Sequence, residues 1–250
     1  MKKFFINFGN AVMVFYKTIT SIFTKRIEWD TTLEQIVKIG NESLPLVILC
    51  GAFTGMVFAL QVGETSISIF NEPIYIGLSL AYSLVLELGP VLTSLVVTGR
   101  AGAAMTAEIG TMKVTEQIDA LYTLGSEPIS YIFVPRFNAF FVSLPILVLF
   151  ADCSGILGGL VVAKLKLGYP ISKYWEEIRT LGISTFSHGI LKSFVFALLI
   201  VWIACYNGIE TKGGAEGVGK ATTKSVVVSM VFILVTDYFL TSLLLSFGIV

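Results

Sequence analysis

The chain has 250 residues, of which 55% are hydrophobic and only 14% are charged. This apolar share exceeds what a water-soluble protein of this length needs to fill its core, so the composition predicts a protein embedded in lipid. The 17 basic and 17 acidic residues balance, which removes any electrostatic argument for binding nucleic acid. The three cysteines stand singly in apolar runs, without the spacing of a metal site or a disulfide framework.

Residues 1–40 are predicted to form an amphipathic region that lies in the headgroup plane of a membrane. Apolar side chains recur there at helical spacing with basic residues between them, a pattern typical of an interfacial helix. A short first transmembrane helix is the alternative. The apolar residues are Phe4, Phe5, Phe8, Val12, Phe15, Ile19, Ile22 and Phe23, and the basic residues are Lys17, Lys25 and Arg26.

Five segments are long and apolar enough to cross the hydrocarbon core, which takes about 20 residues of helix. They comprise residues 43–62, 74–98, 137–163, 189–206 and 225–249. Their unbroken apolar runs differ from the alternating strips of a membrane β-barrel. The predicted fold class is therefore all-α: a polytopic membrane helical bundle in one domain, residues 1–250, with an N-terminal interfacial helix and five transmembrane helices within residues 43–250.

Basic residues are concentrated in the loops that would share a side of the membrane with the N-terminus. The positive-inside rule therefore places the N-terminus in the cytoplasm and, after five spans, the C-terminus outside. Residues 100–135 and 207–224 become internal loops, and residues 164–188 become an external segment. That segment is predicted to form a short helix at the outer surface, with Tyr169, Tyr174 and Trp175 favouring the interface.

Residues 112–124 of the first internal loop are predicted to form a short amphipathic helix. Val114, Ile118 and Leu121 share its apolar face, and Gly125 and Pro128 end it. Such a helix either rests on the membrane or docks into a soluble partner, and the surface-resting kind normally has a Lys/Arg-rich polar face. The acidic residues here favour docking. The polar face consists of Lys113, Glu116, Gln117 and Asp119.

Four ionisable residues lie within or at the edges of the predicted spans. A carboxylate near the middle of a membrane costs on the order of 3 kcal/mol, so it persists only with a partner, a wet cavity or a function. Glu87, followed closely by Pro90, is the strongest candidate for function, with a structural bond to a neighbouring helix as the alternative. Lys192 either acts at a site or snorkels to the outer interface. Asp152 and Asp237 are interpreted as polar contacts between helices.

The run ELGPVLTSLVVTGRAGAAMTAEIGTMKVTEQIDAL, followed by SEPISYIFVPR, GGAEGVGKATTKSVVVS and DYFLT, resembles the MlaE (YrbE) permease family of MCE-associated ABC transporters. The resemblance extends from about Pro45 to the C-terminus. It implies a homodimeric permease of the bacterial inner membrane that moves phospholipid between the inner and outer membranes and so supports outer-membrane lipid asymmetry. The implied partners are a cytoplasmic ABC ATPase, a periplasmic MCE-domain protein and a small STAS-domain protein.

The resemblance also implies roles for particular residues. The helix at 112–124 would be the coupling helix that receives the ATPase's motion, through Lys113, Glu116, Gln117 and Asp119. The Glu of the ELGP motif, Glu87, and a Lys early in the fourth span, Lys192, would line the lipid-binding cavity. Leu86 occupies the position before that Glu, where some relatives carry Arg.

Residues 214–220 spell GAEGVGK, which matches a phosphate-binding P-loop except that Ala221 replaces the final Ser or Thr. The match lies between two membrane spans, without the strand that precedes a true P-loop. ATP and Mg²⁺ are therefore expected on a separate subunit, and this chain is expected to be neither an enzyme nor a cofactor-binding protein. His188, the single histidine, stands at the predicted outer mouth of the fourth span without the neighbours of a zinc site or a catalytic triad.

Two other functions fit the same pattern. An ion-coupled secondary transporter would use Glu87 and Asp152 as proton carriers, although such proteins usually contain inverted repeats. A membrane scaffold that only anchors an external lipid-binding protein would not need Glu87 or Lys192 for lipid traffic.

Overall fold

A computed structural model describes residues 9, 12–14, 16–18, 20–21, 29–125, 127–246 and 248. Over these residues the chain is helical and contains no β-strand. Three single turns of π-helix interrupt the α-helices, at Leu84–Leu88, Thr98–Gly102 and Ile129–Phe133. The α-helices are α1 (Trp29–Phe70), α2 (Ile76–Ser83), α3 (Gly89–Val97), α4 (Ala103–Val114), α5 (Gln117–Thr123), α6 (Val134–Leu165), α7 (Ile171–Arg179), α8 (Ile183–Ile209) and α9 (Gly214–Ser246).

Five stretches of the described chain are long and apolar enough to cross a membrane. They are α1, the run Ile76–Val114, the run Ile129–Leu165, α8 and α9. Each overlaps one of the five spans predicted from the sequence, so the predicted polytopic helical bundle is confirmed. The chain is a multi-pass membrane protein.

The helix of the first span starts well before the predicted span. α1 begins at Trp29 and runs for 42 residues, so residues 29–40 continue into the first span as one helix. No proline occurs between Trp29 and Pro45, and helical hydrogen bonding continues through Gly40 and Asn41. Of the predicted interfacial residues, Val12 and Lys17 lie in described helical turns. Phe4, Phe5, Phe8, Phe15, Ile19, Ile22, Phe23, Lys25 and Arg26 lie outside the described residues.

The contacts divide the chain into two compact units. The first contains Met1–Asn41, Val97–Ser143 and Ala197–Phe232, and the second contains Glu42–Val96, Leu144–Phe196 and Ile233–Val250. Within the first, the Thr106 hydroxyl lies 2.9 Å from the Ser225 hydroxyl and 3.3 Å from the carbonyl oxygen of Ala204. These contacts link α4, α8 and α9 through small polar side chains, as is common between membrane helices.

In the second unit, α1 and α6 pack backbone against backbone. A Cβ on Gly55 would overlap the carbonyl group of Gly155, and one on Gly158 would overlap that of Ala52. Glycine at these positions lets the two helices approach closely, which is the usual route to association between membrane helices. The buried cluster beside them comprises Ala59, Ile76, Leu80, Ala81, Leu84, Ile156, Ala163, Tyr169 and Tyr174.

The segment predicted to be external, residues 164–188, forms the predicted short helix, α7, but its two tyrosines are buried. The Tyr174 hydroxyl donates to the carbonyl oxygen of Ile156 over 2.8 Å, and that of Tyr169 donates to Glu177. Glu177 also accepts the N–H of Gly77 over 2.9 Å at the start of α2. Both hydroxyl groups therefore have partners inside the protein, and the position of the tyrosines at the membrane interface stays a prediction. Trp175 is partly exposed.

Candidate functional site

The second span changes its hydrogen-bonding pattern at Leu84–Leu88, where it forms one turn of π-helix. Gly89 donates its N–H to the carbonyl oxygen of Leu84, five residues earlier, and Pro90 has no N–H to continue the α-helical pattern. Single π-helical turns are rare and occur frequently at functional sites. Glu87 lies in this turn, so the irregular backbone coincides with the carboxylate singled out from the sequence.

Helix α8 meets the π-helical turn at Gly189. A Cβ on Gly189 would overlap the carbonyl oxygen of Val85, so a glycine is needed for the two backbones to come this close. Lys192 follows Gly189 by three residues, which is nearly one helical turn. The contact therefore carries Lys192 to the second span at the level of Glu87.

Four polar residues from three helices meet there. The Lys192 ammonium nitrogen lies 2.6 Å from Glu87 Oε2 and 2.8 Å from Asp237 Oδ1. Thr241 lies one turn after Asp237 on α9, and its hydroxyl donates to Glu87 Oε1 over 2.9 Å. We call Glu87, Lys192, Asp237 and Thr241 the acid–lysine cluster.

Burial is unequal within the cluster. The Lys192 side chain is 0% exposed, whereas those of Glu87 and Asp237 are 38% and 19% exposed. Snorkelling to the interface is therefore excluded for Lys192, whose ammonium group is enclosed by the two carboxylates. A buried ammonium group needs such partners, because its desolvation is otherwise prohibitive. Glu87 also makes the bond to a neighbouring helix that was the structural alternative to a functional role, since it pairs with Lys192 on α8.

The sequence named two of the four cluster residues as site candidates, and the structure brings these two, Glu87 and Lys192, into contact. Leu86 is buried. Asp237, interpreted as a polar contact between helices, pairs with Lys192. Thr241 was missed, although its spacing of four residues from Asp237 in DYFLT places both on one helix face.

Two further polar residues of the second unit are buried beside these elements. Asp152 on α6 is 4% exposed, and its Oδ1 has no hydrogen-bond partner among the described residues. That oxygen fills the space that a side chain at Gly89 would take. His188, one turn before Lys192, is 1% exposed, and neither ring nitrogen has a partner within the described part of the chain. Its position at the outer mouth of the fourth span stays a prediction.

In the first unit, the predicted helix at 112–124 is divided in two. α4 ends at Val114, and Glu116 adopts the left-handed conformation with φ of 60° before α5 begins at Gln117. The prediction of a single helix is therefore wrong. Val114 and Thr115 are both β-branched and weaken helical propagation there. The N–H of Glu116 then closes the end of α4 on the carbonyl oxygen of Lys113 over 3.3 Å. Gly125, with φ of 74°, ends α5 as predicted.

The polar residues of this segment have different surroundings. Lys113 and Asp119 form an ion pair of 3.0 Å across the turn, whereas the exposed carboxylate of Glu116 forms no ion pair with any described residue. α5 buries only Ile118, and Gln117 is exposed. Tyr122 and Leu124 expose 58% and 78% of their surface. The segment thus presents apolar side chains beside a carboxylate that pairs with none of the described residues.

The first unit also contains a second charged cluster. Glu108 on α4 pairs with Arg136 at 3.1 Å and with Lys38. Its side chain is 37% exposed, close to the value for Glu87. This glutamate therefore resembles Glu87 in exposure, but it pairs with two cations and lies in the other unit.

The P-loop-like residues 214–220 lie in the first two turns of α9. Lys220 and Glu216 form an exposed ion pair of 2.6 Å along one face of this helix. The segment therefore differs from a phosphate-binding loop, which connects a strand to a helix.

The chain was compared with known proteins. Residues 32–243 match a protein-family model described as permease MlaE. A probable ABC transporter permease protein of Rickettsia typhi is 41% identical over 96% of this chain and 94% of its own length. One of Synechocystis is 39% identical over 95% of the chain and 91% of its own length. The chloroplastic protein TRIGALACTOSYLDIACYLGLYCEROL 1 of Arabidopsis thaliana is 38% identical over 90% of the chain and 65% of its own length.

Proposed function

The chain belongs to the MlaE permease family, and from this premise we propose that it is the transmembrane subunit of an ABC transporter that moves phospholipid between the inner and outer membranes of a bacterium. It resides in the inner membrane with a cytoplasmic N-terminus and a periplasmic C-terminus. ATP is bound and hydrolysed, with Mg²⁺, by a separate ATPase subunit. This chain is not itself an enzyme.

The observation that carries the proposal is the acid–lysine cluster. A fully buried ammonium group and two carboxylates are costly inside apolar spans, and such residues mark substrate pathways in membrane proteins. The exposed part of Glu87 provides a polar contact for a lipid headgroup. Lys192 orients Glu87 and Asp237, and Leu86 contributes apolar packing behind them.

The exposed faces of α1 and α9 support a homodimer. In the most apolar window of these two helices, only 22% and 11% of residues are buried within the chain. Apolar surface left uncovered by one copy is suited to contact lipid tails or a second copy. A cavity walled by two copies would enclose the tails while Glu87 contacts the headgroup.

Coupling to the ATPase is assigned to the segment from Lys113 to Leu124. α5 is joined to the second span through α4, and the same span carries Glu87. The exposed Tyr122 and Leu124 anchor the contact, Gln117 borders it, and Glu116 supplies its free charge. The ion pair of Lys113 and Asp119 holds the turn in shape. On the outer side, the proposed partner is an MCE-domain protein, and a small STAS-domain protein completes the complex beside the ATPase.

Purification from native membranes with an affinity tag tests the proposal. We expect an ATPase with a complete P-loop to copurify, and ATP to drive transfer of labelled phospholipid between vesicles containing the complex. Failure of any ATPase to copurify would overturn the proposal. Transfer driven by a proton gradient without ATP would instead identify an ion-coupled transporter, and lipid traffic unchanged by Glu87→Ala and Lys192→Ala would identify a scaffold.

A further inference from the structure

We infer that the acid–lysine cluster selects phospholipids with a primary ammonium headgroup, such as phosphatidylethanolamine, over phosphatidylglycerol and phosphatidylcholine. The inference rests on the proposed function, because it names the headgroup that this site would take. It follows from which polar atoms of the cluster remain accessible to a ligand.

Lys192 is not accessible to the phosphate of a lipid. Its ammonium group contacts carboxylate oxygens of Glu87 and Asp237, and the side chain is 0% exposed. A phosphate would have to displace one of these carboxylates, leaving it unpaired in an apolar environment. The positive charge of Lys192 is therefore neutralised within the protein.

The accessible atoms are acceptors. A carboxylate has about four lone-pair positions and donates no hydrogen bond. Lys192 and Thr241 each contact one oxygen of Glu87, which leaves positions free on its exposed side. A ligand that binds there must provide N–H or O–H donors.

The net charge of the acid–lysine cluster also favours a ligand with an ammonium group. With two carboxylates and one ammonium group, the ionised cluster has one surplus negative charge, and attraction to a cation is strong where water is scarce. Ethanolamine supplies a positive charge and three N–H donors. Choline supplies the charge without donors, and phosphatidylglycerol supplies hydroxyl donors on a lipid that is negative overall. Only the primary ammonium headgroup meets both requirements.

The test uses the full chain in nanodiscs of equal parts phosphatidylethanolamine, phosphatidylglycerol and phosphatidylcholine. Lipids retained after detergent extraction are quantified by mass spectrometry. We expect phosphatidylethanolamine to be enriched about tenfold, the factor that corresponds to one charge-assisted hydrogen bond. Glu87→Gln should abolish the enrichment while the protein still elutes as a folded species.

Glu108→Gln is the matched control, because Glu108 is equally exposed and is also ion-paired, in its case with two cations, in the other unit. It should leave the enrichment unchanged. Equal retention of the three lipids, enrichment of phosphatidylglycerol, or enrichment that survives Glu87→Gln would overturn the inference without touching the proposed function. A wild-type protein that retains no phospholipid would instead count against the proposed function itself.

A separate observation concerns Asp152 and Thr93, and from it we propose that these two residues hold one buried water molecule. Both are buried, and Asp152 Oδ1 and Thr93 Oγ1 have no hydrogen-bond partner among the described residues. Asp152 Oδ1 lies against Gly89, and Thr93 follows Gly89 by one helical turn, so both face one side of α3.

A cavity of about 10 Å³ adjoins Thr93 and is lined in part by Gly89, which Asp152 Oδ1 touches, and by Ala151, the residue before Asp152. This volume is close to what one water molecule requires, and a water with polar partners is the common solution for buried groups that are otherwise unsatisfied. One water would accept a hydrogen bond from Thr93 and donate one to Asp152.

Thr93→Val distinguishes a hydrated hydroxyl from an unsatisfied one, because valine has the same shape without the oxygen. We expect the thermal unfolding midpoint to fall by about 3 °C, and Asp152→Leu, which removes both acceptor oxygens, to make the protein insensitive to Thr93→Val. Thr98→Val is the control: that hydroxyl is also buried, with no partner in the described part of the chain, but does not line this cavity, so its removal should not lower the midpoint. An unchanged or higher midpoint for Thr93→Val, or a high-resolution map without density between the two residues, would overturn the proposal.

Discussion

Lys192 and Glu87 are 105 positions apart in the sequence, and their charged groups lie 2.6 Å apart. Two atoms at this distance share one depth in the membrane. The predicted fourth span, starting at residue 189, placed Lys192 near the outer edge, whereas α8 begins at Ile183. The lysine is therefore about 14 Å along its helix, at 1.5 Å per residue, which explains how it reaches a residue within the second span.

Replacing Lys192 by methionine should strongly destabilise the protein. The change leaves Glu87 and Asp237 without their counter-charge, which costs roughly 3–5 kcal/mol for a buried pair. Thermal unfolding in detergent measures the loss. The triple variant Lys192→Met, Glu87→Gln, Asp237→Asn should recover most of it, since no unpaired charge remains. Lys220→Met, which removes an exposed ion pair, should change stability by less than about 1 kcal/mol.

Gly189→Ala should disturb the acid–lysine cluster through the backbone alone. The added methyl group would overlap the carbonyl oxygen of Val85, and helix backbones cannot yield as side chains do, so a cost of about 1–3 kcal/mol is expected. Gly219→Ala is the control, because nothing lies within 4 Å of its Cβ position and alanine favours a helix by up to about 1 kcal/mol. Equal stability of the two variants would contradict the close contact between α8 and the π-helical turn.

Glu116→Gly should stabilise the isolated chain and weaken its association with the ATPase. A side chain in the left-handed conformation costs about 1–2 kcal/mol, which glycine avoids. The carboxylate is lost at the same time. Unfolding measurements report the first effect and copurification the second. Glu116→Gln keeps the strain but removes the charge, so it should weaken association without stabilising the chain. A Glu116→Gly variant that binds the ATPase normally would show that the carboxylate is not recognised.

Tyr169→Phe should reduce the sensitivity of the protein to alkaline pH. Burial, followed by the hydrogen bond to Glu177, raises the pKa of Tyr169 above its ordinary value. A raised pKa means that its stabilising contribution is complete below the unfolded value of about 10 and is lost as pH rises through the folded value. Wild-type stability should therefore fall above about pH 10. The variant should be less stable near neutral pH but lose less on alkalinisation, and parallel curves for the two proteins would contradict this account.

The membrane fold was predictable because hydrophobic length is a local property. A helix that crosses lipid must satisfy its own backbone hydrogen bonds. Each span can therefore be recognised from about 20 consecutive residues, without reference to the other spans. The end of α5 at Gly125 was predictable because a glycine that ends a helix is also a local signal. The break at Glu116 was not, because glutamate gives no turn signal and only the closing of α4 on itself places it in a left-handed conformation.

Tertiary structure decided which polar residues became partners. Glu87 and Lys192 were recognisable as costly charges in apolar spans, but composition and spacing cannot state their mutual distance. The contact depends on a π-helical turn before Pro90 and on the absence of a side chain at Gly189. The burial of Tyr169 and Tyr174 has a similar origin, since their partners lie on other segments. The sequence by itself determined that the chain crosses a membrane and which charged residues lie in apolar spans. The reason is that the free energy of transferring a segment into lipid is the sum of the contributions of its residues. Only the packing of helices determined that the lysine is enclosed and the carboxylate exposed, because burial depends on neighbours that are distant along the chain.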